Sequence, residues 1–437
     1  MKTSRATASA LLIAVSMQSS GTLAATLEDT ITQTLADNPQ AQASLNRYQA
    51  SGEAVRAARG SYMPTVDLKA GVGHDKLKST PADADAKTTD YKTTETSLIL
   101  NQNLFDGLNT TNNYKKSREI QNSRKEQLKV KAELLALDVS DVYLKVIDNR
   151  KQVELAAENL KTHERIFDLV QRRASKGVAN QSDFYQIEGR LARAQANLLV
   201  TQNSLQDAES QYMRIINQVP DDLSTPWLDN SLLPDNLDDA IKVAMKDHPS
   251  IASSAYEINA SQFGYDGLRS KFLPSVDLSL SQHWDKDAQG IKGRTEDTRA
   301  MLTMRYNLFN GGTDMAHRQE AAYQVEESKA NQVDTYRAVV ESLRMAWASM
   351  KYVTEEQPYL KRHVEASTKT VAAYRHQFEI GKRSLLDVLD SENENYQSKR
   401  AYTSAQFRSL YARYRVLSSM GQMLNKLNIR MPSSWQG

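Results

Sequence analysis

The carboxylates Asp387 and Asp390 are the residues whose types and spacing most suggest a site. Residues three apart lie on one face of a helix, so the two side chains would project together. Paired carboxylates can serve as catalytic acid and base, but no nucleophile or base motif accompanies this pair. The seven histidines lack metal-ligand spacing, and no Walker or Rossmann glycine motif occurs. We therefore expect no enzyme activity, no cofactor and no metal site.

The composition favours long helices and excludes several protein classes. The 437 residues include 17 Gly and 10 Pro, which is few. No run of about 18 apolar residues exists, so a bundle of membrane-spanning helices is excluded. The 55 Lys and Arg nearly balance the 53 Asp and Glu, which gives no electrostatic case for nucleic acid.

Residues 1–24 have the features of a signal peptide. Lys2 and Arg5 are followed by a short apolar core and by Thr22-Leu23-Ala24, a small-residue cleavage site. Removing the two cations leaves a mature formal charge of zero. The chain is expected to be exported, and because it contains no Cys, it has no N-terminal cysteine to carry a lipid.

An internal repeat organises the remaining chain. LEDTITQTLADNPQAQAS begins at Leu27 and returns as LDDAIKVAMKDHPSIASS at Leu237, 210 residues later, whereas Gly177 and Gly381 are 204 apart. We predict a first repeat over 25–218, a linker over 219–236 and a second repeat over 237–437, which includes a C-terminal tail.

Each repeat contains a predicted strand hairpin, near 64–105 and near 274–309. Val66 and Leu68 alternate with polar residues, as do Val276 and Leu278, so each strand has one apolar face. The polar stretch 75–95 is predicted to be an external loop. A small sheet packed on helices would explain one hairpin; two hairpins with strands of about ten residues fit a transmembrane barrel better. Four strands cannot close a barrel, so several protomers must share one.

Each hairpin precedes a predicted pair of long helices, over 109–218 and 313–424. No Gly or Pro occurs between Gly107 and Gly177, and the apolar stripe is narrow, which favours coiled-coil contact. Pro358 is expected to kink or break the second long helix. An ordinary coiled-coil protein is the alternative, but it would not explain the strands.

These motifs resemble those of the TolC family of outer-membrane channels. The resemblance covers the repeat order, PxVDL in both hairpins, NLFxG before each long helix, and FEIGKRSLLDVLDSENENYQSKR at 378–400. It implies a mixed, mainly α fold: a homotrimer with a twelve-stranded transmembrane β-barrel, four strands per protomer, continued by a periplasmic α-barrel. The linker 219–236 would lie in the equatorial region.

The same resemblance implies the setting. The protein would lie in outer-membrane lipid, extend into the periplasm, and carry no cofactor or catalytic chemistry. Its partners would be a periplasmic adaptor protein and an inner-membrane pump, either an ABC-type exporter or a proton-driven transporter. The expected role is a passive exit duct, with type I protein secretion slightly favoured. Multidrug efflux is the alternative, and a periplasmic coiled-coil structural or adaptor protein is the rival from another class.

The resemblance also assigns residues to the inner end of the tunnel. Asp387 and Asp390 would form stacked carboxylate rings at the aperture, raising one another's pKa and selecting cations. A closing latch falls on Ser182, Asp183 and Arg383, with an Asp183–Arg383 ion pair as its candidate. The family pattern has Tyr where this chain has Phe378, so one latch hydrogen bond should be absent.

Local physics offers simpler roles for some of these positions. Asp183 would also stabilise a helix start through the macrodipole, which stays open as an alternative. Ser182 and Ser384 are plausible N-caps. Gly177 and Gly381 suit left-handed C-caps at the helix turns.

Overall fold

The computed structural model describes residues 26–79, 87–176, 180–288 and 291–435. The predicted signal peptide 1–24 and the predicted turn residue Gly177 lie outside these residues. Within the described part of the chain, no helix is both long enough and apolar enough to cross a membrane.

The elements occur in the same order in both halves. The first half contains α1 (Leu27–Asp37), α2 (Pro39–Gly60), β1 (Thr65–Ser79), β2 (Lys87–Phe105), α3 (Asn109–Ser175) and α4 (Gln181–Ile216). The second contains α5 (Leu237–Asp247), α6 (Pro249–Gly267), β3 (Ser275–Lys286), β4 (Arg294–Arg305), α7 (Thr313–Glu379), α8 (Leu385–Ser419) and the short α9 (Met423–Lys426). Helices α1 and α5 both have 11 residues, and α3 and α7 both have 67. The chain is therefore one structural unit repeated.

The two long helices are continuous. At 1.5 Å per residue, 67 residues span about 100 Å. Helix α7 runs through Pro358 without interruption, so the expected break is wrong. Proline removes one backbone hydrogen bond of a helix that packs on α8, and next to it the Gln357 side-chain amide donates to the Ala405 carbonyl of α8 at 3.2 Å. The loss of one backbone hydrogen bond costs little free energy compared with the packing of α7 along α8.

The shorter helices meet end to end. The side-chain Oδ1 of Asn38 accepts from the Gln40 N–H at 2.9 Å and caps α2, while its side-chain Nδ2 donates to the Ile215 carbonyl at the end of α4, also at 2.9 Å. In the second repeat, His248 caps α6 by accepting from the Ser250 N–H at 3.1 Å. Each half thus builds a second long helical row from two pieces.

Packing is tight where α8 ends beneath α6. Gly421 has φ +67°, and a Cβ placed there would come within 2.6 Å of the Pro249 ring. Helix α8 therefore ends at Ser419, five residues before the predicted end of the hairpin at 424. Glycine is required here both by the backbone conformation and by the close approach of α6.

The four strands form one antiparallel sheet in the order β1-β2-β3-β4. Leu100 of β2 lies opposite Val66 of β1 and also opposite Leu280 of β3, so the hairpins of the two repeats pair with each other. Strands β1 and β4 are left at the edges of the sheet.

Alternation gives the sheet one apolar and one polar face. Residues directly opposite each other share a face. The row Val66, Leu100, Leu280, Ala300 is apolar, and the next row, Asp67, Ile99, Ser281, Arg299, is mostly polar. On the polar face Ser97 is 8% exposed, whereas its apolar-face neighbour Leu98 is 41% exposed, so the sheet encloses its polar face. The predicted outward residues Val66, Leu68, Val276 and Leu278 share the apolar face.

The predicted loop 75–95 is largely strand. Asp75 pairs with Tyr91, and pairing continues to Ser79 and Lys87, so only residues 80–86, which lie outside the described part, remain between the strands. The stretch is polar, but its Thr and Tyr residues favour extended structure, and backbone pairing does not require an apolar face. In the second hairpin β4 ends at Arg305, before the predicted limit of 309.

A buried carboxyl group lies where the C-terminal segment meets α3. Glu133 is 6% exposed, and its two oxygens accept the backbone N–H groups of Met423 and Leu424 at 3.0 and 3.1 Å. Burial raises the pKa of Glu133 to about 7, although the two N–H groups act in the opposite direction. Glu133 therefore titrates in the range where ordinary carboxyl groups are fully ionised.

Replacing Leu68 or Leu278 by Arg should destabilise the assembled protein by ~2–4 kcal/mol if the residue lies near the bilayer midplane. An unpaired guanidinium would then face hydrocarbon. The measurement is the amount of heat-resistant trimer recovered from outer membranes. Ser279→Arg, one residue further along β3 on the polar face, is the matched control and should assemble normally. Equal recovery of all three variants would contradict the face assignment.

The thermal midpoint of Glu133→Gln should rise relative to the unsubstituted protein as pH increases from 5 to 8. Glu133 binds its proton more tightly folded than unfolded, so its contribution to the free energy of unfolding falls between the unfolded and folded pKa values, by up to about 3 kcal/mol. Glutamine does not titrate. Glu154→Gln, at an exposed position of α3, is the matched control for the loss of one carboxylate. A constant difference for Glu133→Gln would refute the raised pKa.

Candidate functional site

The two helix turns at the far end of the helical hairpins are joined by an apolar cluster. Val170 of α3, Ile187 of α4, and Leu385 and Leu389 of α8 are buried together, with Phe378 of α7 against them. The cluster fixes the start of α4 beside the start of α8. The polar side chains of both turns are thereby held close to one another.

The second turn has the backbone that its sequence predicts. Gly381 has φ +73°, its N–H donates to the Phe378 carbonyl at 3.1 Å, and the Lys382 N–H donates to the Gln377 carbonyl at 2.8 Å. This left-handed termination confirms the predicted role of Gly381. Ser384 caps α8 as predicted, because its hydroxyl accepts from the Asp387 N–H at 3.2 Å.

The first turn differs from the prediction. Helix α4 begins at Gln181, with Asn180 in the N-cap position and no side-chain capping bond. Ser182 is therefore the second residue of the helix, and its assignment as N-cap is wrong. Asp183 lies in the first helical turn, where its charge complements the helix macrodipole.

Asp387 is held ionised by its neighbours. The Ser384 hydroxyl donates to Oδ2 at 2.7 Å, and Nη1 of Arg383 lies 3.8 Å from the same oxygen. These contacts, the serine hydrogen bond first, lower the pKa of Asp387 below its ordinary value. Within one protomer the nearby donor and cation outweigh desolvation at this partly exposed site. The raised pKa expected for rings of carboxylates concerns three protomers together and stays a prediction.

Asp390 has a different partner. Its Oδ1 lies 2.6 Å from Nη2 of Arg190, in an ion pair that links α8 to α4. The Asp390 side chain is 57% exposed, so the pair is open to solvent. Sequence reasoning missed Arg190. The repeat alignment offered a partial signal. It predicts that the starts of α4 and α8 are equivalent positions in the two repeats, but it does not predict that they are in contact.

Arg383 contacts its own turn and helix. Its Nε donates to Gln377 at 3.1 Å, and its guanidinium lies 4.0 Å from the centre of the Tyr374 ring. In the described part of one protomer Arg383 pairs with Asp387 and not with Asp183. The Asp183–Arg383 latch stays a prediction. Tyr374, one helical turn before Phe378, was not predicted to take part.

Phe378 faces the helices and not the turn. The Arg173 guanidinium of α3 lies 4.8 Å from the centre of its ring, and the ring packs on the apolar cluster. A phenyl ring fills this position without a hydroxyl. The absence of one latch hydrogen bond stays a prediction.

The arrangement of the turns is electrostatic, not catalytic. Two carboxylates lie one turn apart on α8, and each has an arginine nearby: Arg383 beside Asp387 and Arg190 beside Asp390. Among the residues that the structure describes, no group of His, Cys, Asp or Glu could hold a metal ion. The site can attract, bind weakly and repel mobile ions.

The sequence model of the outer membrane efflux protein family matches residues 30–218 and 240–422, one segment in each repeat. The chain belongs to this family. The predicted TolC-family identity is thus confirmed, and the match in two segments agrees with the repeated architecture.

Individual relatives agree with this assignment. The outer membrane efflux protein BepC of Brucella suis is 24% identical, over 94% of this chain and 90% of its own. The alkaline protease secretion protein AprF of Pseudomonas aeruginosa is 22% identical, over 86% and 80%. The outer membrane protein TolC of Escherichia coli is 20% identical, over 88% and 80%. A crystal structure of a membrane protein from Pseudomonas aeruginosa superposes with a TM-score of 0.80 at 17% identity, covering 90% of each chain.

The mainly helical fold with four strands per chain is the fold of this family. The protein is an outer-membrane channel that extends into the periplasm, and it is not an enzyme. The edge strands β1 and β4 agree with a barrel shared by three protomers. The apolar face of the sheet is then the lipid face, and the polar face lines the lumen.

In planar bilayers, Arg190→Ser should increase the preference of the channel for cations, because it leaves the Asp390 carboxylate without its partner. Replacing both Asp387 and Asp390 by Asn should weaken that preference severalfold, since the local negative potential recruits cations. Reversal potentials in salt gradients measure both effects. An unchanged preference in the double variant would show that the narrowest point lies elsewhere.

Arg383→Ser should raise the conductance, because it removes the Tyr374, Gln377 and Asp387 contacts that hold the second turn. Lys382→Ser is the matched control: it removes the same charge at an exposed neighbouring position and should leave the conductance nearly unchanged. Equal conductance changes in both variants would indicate a general charge effect and argue against a latch.

Proposed function

We propose that this protein is the outer-membrane exit duct of a tripartite export system. It would receive its cargo from an inner-membrane pump, either an ABC-type exporter or a proton-driven transporter, through a periplasmic adaptor protein. The observation that carries the proposal is one chain that joins a two-faced sheet to helices of about 100 Å. The sheet suits a membrane and the helices suit a periplasmic tunnel.

Three protomers would build the duct. Each contributes four strands, which gives twelve in a closed barrel without edges, as lipid requires. The helix order within a protomer is α4, α3, α8, α7, since α3 packs on both α4 and α8, and α7 packs on α8. Helices α4 and α7 would then contact neighbouring protomers. These contacts would close the helical cylinder, as contacts between edge strands close the barrel.

The periplasmic end is proposed to act as the gate. Asp387 and Asp390 of three protomers would form two rings of carboxylates around the aperture. Ser182, Asp183, Arg383 and Phe378 would form the latch, with Asp183 of one protomer facing Arg383 of another. Support comes from the side of α8 on which the ring carboxylates lie: Asp390 is exposed and Asp387 partly exposed, whereas Val388 and Leu389, on the opposite side of the helix, are buried.

Type I protein secretion is the favoured cargo route. AprF is named for the secretion of a protease, and this chain covers 80% of it. The chain also has no cysteine that could carry an N-terminal lipid. Multidrug efflux is the second candidate, favoured by BepC, which is named an efflux protein. A periplasmic coiled-coil or adaptor protein is not supported, because it would not need a sheet with an apolar face.

A deletion strain should lose specific proteins from its culture medium while its sensitivity to drugs changes little. Mass spectrometry of the medium and drug-inhibition assays of the same cultures measure the two outcomes. Restoring the full chain should return the missing proteins, and restoring the Leu68→Arg variant, which is expected not to assemble, should not. Raised drug sensitivity with an unchanged medium would identify the efflux route instead.

A further inference from the structure

We propose that the outer end of the lipid face binds the phosphate groups of anionic lipid headgroups. Five cationic side chains and one histidine lie together there, and we call them the rim belt: Lys76, Lys78, Lys92, Lys286 and Arg294, with His74. All six are exposed.

Strand register places the belt on the lipid face. Val72 lies opposite Thr94, which lies opposite Lys286, which in turn lies opposite Arg294, so one row crosses all four strands. One row further out, His74 lies opposite Lys92. Lys76 and Lys78 continue the alternation that begins at Val66 and Leu68. The belt therefore lies on the same face of the sheet as Val66 and Leu68, beyond the rows of apolar residues.

Connectivity places the belt on the outer side of the membrane. Helices α2, α3, α6 and α7 all join the other ends of the strands, and these helices form the periplasmic part. Trp284 lies one row below Lys286, on the same face. Tryptophan is enriched where membrane meets water, so the belt begins at the depth of the headgroups.

Cations outnumber anions on the lipid face at this end of the sheet. Within the described strands, every Lys and Arg of the lipid face belongs to the belt, and two carboxylates, Asp90 and Glu296, share that face with them. On the lumen face at the same height the carboxylates Asp75, Glu95, Asp285 and Asp297 predominate. Solubility alone would not place an excess of cations on the lipid side and an excess of anions on the lumen side. A partner of negative charge located in the membrane surface explains this distribution.

The belt is only partly neutralised by its own chain. Asp90 lies 3.9 Å from His74, and Glu296 lies 3.2 Å from Arg294. In the described part of the chain, Lys76, Lys92 and Lys286 form no ion pair with a carboxylate. Their ammonium groups are free for charge-assisted hydrogen bonds to phosphate.

The spread of the belt favours headgroups over free phosphate. Its cations follow the sheet across all four strands and do not converge on one point. A single phosphate ion would contact one or two of them, whereas phosphates fixed side by side in a leaflet can contact the whole row. Basic clusters at membrane depth recognise anionic lipids in this way.

The test uses the purified trimer in nanodiscs of phosphatidylcholine, with added bisphosphorylated lipid A or the same glycolipid without its phosphates. Native mass spectrometry counts bound glycolipid, and the thermal midpoint reports stabilisation. The unsubstituted protein should bind and be stabilised by the phosphorylated lipid only. Lys76→Gln with Lys92→Gln and Lys286→Gln should weaken binding by about tenfold or more, because each basic residue at an anionic surface contributes severalfold.

The matched control is Lys69→Gln with Arg299→Gln and Arg305→Gln, which removes three cations from the lumen face of the same sheet. It should bind lipid A as the unsubstituted protein does. Belt and control variants of equal affinity, or equal binding of the glycolipid without phosphates, would overturn the proposal. Millimolar inorganic phosphate that displaces the lipid would show a free-anion site instead, which also overturns it. If the triple belt variant does not form trimers, Lys92→Gln and Lys286→Gln are measured singly, and unchanged affinity in both would overturn it.

Discussion

The fold depends on one constraint: in lipid, every backbone N–H and C=O group needs a partner. A four-stranded sheet satisfies its inner strands and leaves the edges of β1 and β4 open. Closure therefore has to come from neighbouring protomers. Each long helix starts a few residues after a strand ends. Closing the barrel therefore also arranges the long helices of the protomers in a ring. Oligomerisation is thus a condition for the sheet to exist in the membrane, and not an addition to a finished protomer.

The repeat meets this constraint economically. Each copy contributes a strand hairpin and a helical hairpin, and the copies pair through β2 and β3. The short helices α2 and α4, and α6 and α8, stack end to end beside the unbroken α3 and α7. Asn38 and His248 make equivalent N-caps at the two junctions. Near these junctions, Glu133 of α3 accepts two backbone N–H groups of the C-terminal segment. A buried carboxyl group thus holds that segment against α3.

Charge follows position along the duct. Arginines accompany the carboxylates Asp387 and Asp390 at the periplasmic end, the lumen face of the sheet is acidic near its outer end, and the lipid face is cationic at the rim. A passive duct has no chemistry to perform, so its electrostatics decide what approaches its ends and its walls. The apolar cluster around Ile187 and Leu389 holds the two helix turns in place, so their charged side chains keep fixed positions.

Local structure could be predicted from the amino-acid sequence alone. Period-two alternation, a long span without Gly or Pro, and a 204-residue offset were enough for the four strands, the 67-residue helices and the left-handed turn at Gly381, because each depends on neighbours in the chain. Only the tertiary structure decided what lies far apart in sequence: the pairing of β2 with β3, the Arg190–Asp390 ion pair, and the packing of Arg383 on Tyr374. The strands extended past the predicted loop, and α7 passed through Pro358, because pairing and packing along a whole element outweigh the preference of a few residues. Contacts of this kind have no local signature, since they arise only when separate elements are brought together.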